Sequence, residues 1–343
     1  MLSVVVDRPN SLNLREMPLP EPAAGEVRVR VRYAGICGSD LHIYRGHNPF
    51  VSYPRVIGHE FVGCVESVGT SVDAARIGEL VAVDPVISCG QCHACRIGRQ
   101  NVCSKLVVLG VHRDGGFSEY VCAPARNAYR IPEGIADSCA AIVEPFAVAA
   151  NVTARTGVLP EDVALIYGAG TVGLTILQVL KRVHGIRAFI TDRLDERLAL
   201  ARLNGAAEDE TINTGREADL AEALARRGVA GGPTLVFDAA GHPAILEEAV
   251  RLAAPAARIG LLGFSSTPSA IAQQELTKKE LTLCASRLNC AMFPTVIDWL
   301  ERGLVTPASI VTHKVDFREV GSAFELAEGN PKEACKVLLD FGG

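Results

Sequence analysis

Val163-Ala-Leu-Ile-Tyr167-Gly168-Ala-Gly170-Thr171-Val172-Gly173-Leu174 is the stretch that decides the fold of this chain. Five residues from Val163 read as a buried strand, the glycines at 168, 170 and 173 as a turn, and Leu174 to Val183 as a helix. A strand, a G-x-G-x-x-G turn and a helix in immediate succession open a βαβ dinucleotide-binding unit. The first glycine permits the tight turn, the second lets backbone approach a pyrophosphate, and the third lets helix and strand pack closely. Thr171 and Val172 then lie at a helix N-terminus, whose amides suit phosphate. Nineteen residues beyond Gly173 stands Asp192, placed to accept hydrogen bonds from ribose hydroxyls and to repel a 2′-phosphate. NAD is therefore favoured over NADP. Arg193 and Arg197 pull the other way, since either could face a 2′-phosphate, although Arg197 can equally lie along the adenine or in solvent.

Outward from this motif the texture is regular. Apolar runs at 163–167, 188–191, 235–238, 257–263 and 280–286 alternate with helical patterns at 195–204 and 244–253. That alternation predicts a doubly wound parallel sheet covered by helices. The first 150 residues differ: Val27, Val29 and Val31 alternate with Arg28, Arg30 and Arg32, a strand with one buried face. Glycines at 58, 63, 69 and 78 punctuate further short apolar runs, as in a bent β-rich unit. The expectation is an α/β chain of about two domains, as its 343 residues also suggest. A helix at 293–302 and a strand at 335–339 close the sequence.

A formal net charge of -5 offers no global attraction to phosphate backbones or anionic lipid, so nucleic acid and membrane partners are not expected. The arginine row reads as a solvated strand face. The opening MLSVVVDRPN lacks a basic n-region, and a cytoplasmic location is expected. The uncharged run 163–180 is broken by its three glycines, against a membrane span.

Four of the eleven cysteines crowd into Cys89-x2-Cys92-x2-Cys95-x7-Cys103. Four thiolates with no open position describe a closed structural zinc site. An iron–sulfur cluster is the rival, because C-x2-C-x2-C also opens ferredoxin motifs; the distant fourth cysteine without a following proline weakens it. Cys37, in Gly35-Ile-Cys37-Gly-Ser39-Asp-Leu-His42, and His59-Glu60, in Gly58-His59-Glu60, could form a zinc site with one open position, the form a catalytic zinc takes.

Taken in order, Gly35-Ile-Cys37-Gly-Ser-Asp, Gly58-His59-Glu60, the four-cysteine stretch, Glu144-Pro145 and Gly168–Gly173 resemble the zinc-dependent medium-chain alcohol dehydrogenases along essentially the whole chain. His42–Phe50, Tyr53–Glu60 and Ala254–Arg258 look most like the sugar-acid branch, including L-galactonate/L-gulonate 5-dehydrogenases. The resemblance implies a GroES-like catalytic domain from residues 1–151 and 287–343, with a Rossmann NAD-binding domain, 152–286, inserted between them. It implies two zinc ions per chain. Cys37 and His59 would hold the catalytic one, with Glu144 as third ligand or one water away and Glu60 able to exchange onto the metal. Where other alcohol dehydrogenases carry a cysteine, this chain carries Glu144, as polyol dehydrogenases do.

The implied reaction is oxidation of a secondary hydroxyl of a sugar acid or polyol, with Ser39 hydrogen-bonding the reacting oxygen and His42 passing the proton outward. Arg45 and Arg113 are candidate partners for a substrate carboxylate, because guanidinium binds carboxylate bidentately. Threonine-type, sorbitol-type or simple-alcohol oxidation, or a regulatory sensor binding NAD and zinc without turnover, are the alternatives. A homodimer or homotetramer is expected from the family.

Overall fold

The computed structural model describes every residue except 218 and 343. The chain divides into two compact units, one comprising Met1–Glu144, Asn289–Glu301 and the chain from Val311 on, the other Pro145–Leu288 with Arg302–Ile310.

The second unit is built on six parallel strands in the spatial order Thr211–Asn213, Arg187–Asp192, Val163–Tyr167, Leu235–Asp238, Arg258–Leu261 and Thr282–Ala285. Numbered along the chain this is 3-2-1-4-5-6, the doubly wound order, with the fingerprint strand at the point where the order reverses. Ala164, Leu165 and Ile166 are fully buried, as a strand covered on both faces must be. Gly168 has φ +93°, a conformation that side-chain-bearing residues rarely adopt. A Cβ on Gly173 would lie 1.8 Å from the Gly168 carbonyl oxygen, so only glycine lets the helix Thr171–Gln178 start so close to the turn. That helix widens into a π turn over Val179–Val183. Among the described residues no helix is long and apolar enough to cross a membrane.

The first unit is organised by the long strand Glu26–Gly35, which pairs antiparallel with Glu60–Val68, Tyr120–Pro124 and Lys336–Asp340. Register shifts near Arg28 and Val31 bend it, which lets one strand serve three neighbours. Val27, Val29 and Val31 are buried as their alternation requires. The arginine row is less uniform than a solvated face: Arg30 is exposed, but Arg28 is buried, with Nε donating to Glu66 and Nη1 to the Pro20 carbonyl. Pairing with Lys336–Asp340 brings the end of the chain back into this sheet, its Leu339 facing Ala34.

Candidate metal centres and dinucleotide turn

Register builds the first centre. Gly35 pairs with Glu60, so the residues just past one strand end, Ile36 and Cys37, face those just before the other, Gly58 and His59. Cys37 begins the helix Gly38–Tyr44, and its N–H donates to Asp40 Oδ2 at 2.9 Å. Asp40 is wholly buried; its Oδ1 accepts from the Gly58 N–H at 3.3 Å and lies 3.4 Å from His59 Nδ1. At that separation Nδ1 makes no hydrogen bond, but the carboxylate faces it and leaves Nε2 for a ligand, as a carboxylate behind a metal-binding histidine does. Ser39 Oγ lies 3.4 Å from that Nε2. One donor atom each from Cys37, His59 and Glu60 fall within 4.8 Å of one another. A thiol, an imidazole and a carboxylate so close on a buried floor suit a divalent zinc. Burial works against the charged form of His59, yet Asp40 and then Cys37 hold its pKa well above the ordinary value.

Glu144 lies outside that three-residue group. It is buried at the start of the helix Val143–Thr156, and burial pushes its carboxyl up to about 8 despite the opposing pull of His59 and Lys336. His42 is exposed in the last turn of its helix, its ring centroid 6.2 Å from that of His47.

The two candidate anchors for a substrate carboxylate already carry carboxylates. Arg45 forks onto Glu328 through Nε and Nη2 and reaches Asn10 through Nη1. Arg113 Nη1 donates to Glu26 Oε1 at 2.6 Å. A sugar acid reaching either would have to take it from, or share it with, that partner.

The structure gives places to three buried residues to which the motifs assign no role: Asp40 and Lys336 at this centre, and Asp84. The signal that could have marked Asp40 is its place as the fourth residue of Cys37-x-x-Asp at a helix start. Lys336, the one cation at the head of the apolar strand Lys-Val-Leu-Leu, is buried on Glu60. Asp84 is buried where Asn289 Nδ2 and the Val86 N–H donate to its Oδ1.

Burial raises the Asp84 carboxyl from 3.8 to about 6, those two hydrogen bonds only partly opposing it. A carboxyl raised on folding is costless below its unfolded pKa and weakens the fold as pH rises through the folded one. At about 1.4 kcal/mol per factor of ten, the penalty above pH 6 is roughly 3 kcal/mol. Asp84→Asn, which keeps an acceptor for both donors, should match wild-type stability near pH 4 and exceed it by about that amount at pH 7 to 8. Denaturant titrations across this range check it; parallel curves for the two proteins would contradict it.

The second centre is the four-cysteine stretch. Cys92 Sγ lies 3.5 Å from Cys95 Sγ and 3.9 Å from Cys103 Sγ, and Cys89 Sγ is 4.0 Å from Cys95 Sγ. Zinc–sulfur bonds of about 2.3 Å in a tetrahedron place sulfurs roughly 3.8 Å apart, so the cluster fits a structural zinc site. The backbone N–H groups of Ser104 and Cys95 draw the Cys92 thiol down to about 5, whereas burial pushes Cys95 up to about 11. No cysteine of the chain forms a disulfide among the described residues.

At the dinucleotide turn, Asp192 does more than wait for a ribose. Its Oδ2 accepts from the Ala169 N–H at 2.9 Å, and its Oδ1 from the N–H groups of Arg193 and Leu194. The carboxylate thus ties the end of its own strand to the glycine turn. Arg193 is exposed, while Arg197 leans over the turn, with Nη1 3.1 Å from where a Gly170 Cβ would sit.

A dinucleotide turn on a doubly wound sheet, carried in one chain with a zinc-competent Cys/His/carboxylate floor, defines a zinc-dependent oxidoreductase of the alcohol dehydrogenase class. Residues 23–133 match the alcohol dehydrogenase GroES-like domain, and residues 171–302 the zinc-binding dehydrogenase domain. The chain belongs to the zinc-binding dehydrogenases. It is 55% identical over 342 residues to the starvation-sensing protein RspB of Escherichia coli K12, covering 99% of both chains. It is 31% identical over 346 residues to the L-galactonate-5-dehydrogenase of the same strain, covering 98% of each. Among solved structures it is similar to an E. coli CFT073 protein described as a short chain alcohol dehydrogenase (rspB), complexed with cofactor NADH, at 55% identity, 99% coverage of both chains and a TM-score of 0.95.

Proposed function

We propose that this dehydrogenase oxidises a secondary hydroxyl of a sugar acid or polyol to the ketone with NAD, and that C5 of L-gulonate or L-galactonate is its target. The supporting observation is the donor group of one thiol, Cys37, with His59 and Glu60, together with a buried carboxyl, Glu144, that feels the charges of His59 and Glu60, where a second thiol would mark a simpler alcohol dehydrogenase. The likeness to an L-galactonate-5-dehydrogenase supports the same substrate class.

In this reading Cys37 and His59 would hold the catalytic zinc, with Glu144 as the third residue toward it or one water away and Glu60 as the neighbouring carboxylate able to join them. Bound zinc supplies Lewis acidity toward the substrate hydroxyl, and bound NAD supplies the hydride acceptor. Ser39, 3.4 Å from His59 Nε2, would hydrogen-bond the reacting hydroxyl and relay its proton, accepting it as the serine's own hydroxyl proton passes on. The exposed His42 passes that proton to solvent. The amides of Gly170, Thr171 and Val172 hold the pyrophosphate, with Gly168 and Gly173 shaping the turn. Asp192 accepts from the adenosine ribose hydroxyls, while Arg193 and Arg197 border the same end of the nucleotide. We place the enzyme in the cytoplasm as a homodimer or homotetramer.

NADH formation by zinc-replete protein against aldonates, polyols, threonine and simple alcohols, with NAD and NADP in parallel, tests this. Turnover is expected with L-gulonate or L-galactonate and NAD. Turnover confined to threonine or simple alcohols would overturn the substrate assignment, and silence across the panel would favour a sensor that binds both cofactors without turnover.

A further inference from the structure

Lys336 is 2% exposed, and all three of its ammonium protons have acceptors: Glu60 Oε2 at 2.7 Å, Glu60 Oε1 at 3.0 Å and the Ile36 carbonyl at 3.0 Å. The slot for the carboxylate is as closely cut. A Cβ on Gly35 would come within 2.3 Å of Glu60 Oε2, so the cross-strand neighbour must be glycine for the pair to form. A buried ion pair is a poor device for stability alone, because desolvating both charges offsets most of their attraction. Glu60 also belongs to the donor group with Cys37 and His59. One carboxylate thus has two claimants, the ammonium and a metal ion.

We propose that Lys336 is a positioning residue that draws Glu60 away from permanent metal ligation and so keeps a coordination position open for the substrate hydroxyl. The inference rests on the reading of Cys37 and His59 as metal ligands. The strand pairing fixes the backbone of Glu60 with its carboxylate on Lys336 and within reach of the Cys37 and His59 donors. With the ammonium in place, both oxygens are hydrogen-bonded and their charge is shared. Without it, a metal ion held by Cys37 and His59 is left to compensate the buried carboxylate, and Glu60 becomes a standing ligand.

The test uses the zinc-loaded full chain and its cobalt-substituted form. Lys336→Met is expected to release the Cys37/His59 zinc to a chromogenic chelator roughly 10-fold more slowly than wild type, with a changed cobalt d–d spectrum and lower turnover. Lys336→Arg should restore wild-type release, and in a Glu60→Gln background Lys336→Met should change release no further. Release at the wild-type rate or faster, or a slowing that persists without Glu60, overturns the proposal. Should Lys336→Met fail to fold, the cobalt spectrum of Glu60→Gln decides: a wild-type spectrum supports the proposal, whereas an altered one makes Glu60 a standing ligand with Lys336 present and overturns it. If Cys37→Ala retains the full metal content, the ligand reading and this inference fall together. If Cys37→Ala loses one ion per chain while Lys336→Met behaves as wild type, only the inference falls.

Discussion

Cys37→Ser and His59→Ala are each expected to lower NAD-dependent turnover by roughly 10³-fold or more while leaving one metal ion per chain in place. A Lewis acid at the reacting oxygen contributes several kcal/mol to the transition state, and each 1.4 kcal/mol is about tenfold in rate. Both side chains sit at strand and helix ends held by Asp40, whose carboxylate binds the Cys37 and Gly58 N–H groups whatever the ligand side chains are. The backbone therefore survives the substitution, and the loss is one of chemistry. Metal content by atomic emission should fall from two ions to one, and the melting temperature should change little. A variant that keeps wild-type turnover after losing that ion would remove the metal from the reaction.

What was legible in the sequence is what local spacing dictates. The fingerprint turn, the strand and helix alternation around it, and the four cysteines all lie within short windows, where period and ligand spacing carry the information. Cys37 and His59 could be paired only because each stands in a glycine-marked motif; that they face one another follows from the register of Gly35 with Glu60. The remainder depends on residues far apart in the chain. Lys336 finds Glu60 across 276 positions, Arg45 finds Glu328 across 283, and Arg113 finds Glu26 across 87. No pattern of periodicity distinguishes a guanidinium awaiting a substrate from one already held by a carboxylate. Burial of Arg28 escaped the alternation rule for the same reason, since Glu66 lies on a neighbouring strand.

Cys103→Ser should lower the melting temperature by about 10 °C or more, halve the zinc content and open residues 88–104 to proteolysis. This stretch has almost no core of its own. It holds a four-residue helix, His93–Arg96, and one turn of 3₁₀ helix, Gln100–Val102, and is flanked by a two-residue strand pairing, Val86–Ile87 with Val107–Val108. Its apolar side chains point outward, Ile97 being 58% and Val102 45% exposed. Hydrophobic burial cannot hold such a segment, so the four sulfurs and the ion between them must. Zinc binding of this type is worth roughly 10–16 kcal/mol in small isolated domains, where it is the folding free energy. Only a few kcal/mol need reach the whole first unit, through contacts such as that of Cys290 Sγ with the Gly98 carbonyl at 3.1 Å, because each shifts the midpoint by about 2–4 °C in a domain of this size. Differential scanning calorimetry beside metal analysis checks the expectation. The dinucleotide site should be spared, its turn and Asp192 lying in the other unit, so NADH fluorescence titration should give an unchanged dissociation constant. An unaltered midpoint with two zinc ions retained would show that three thiolates suffice and that the fourth cysteine serves another purpose.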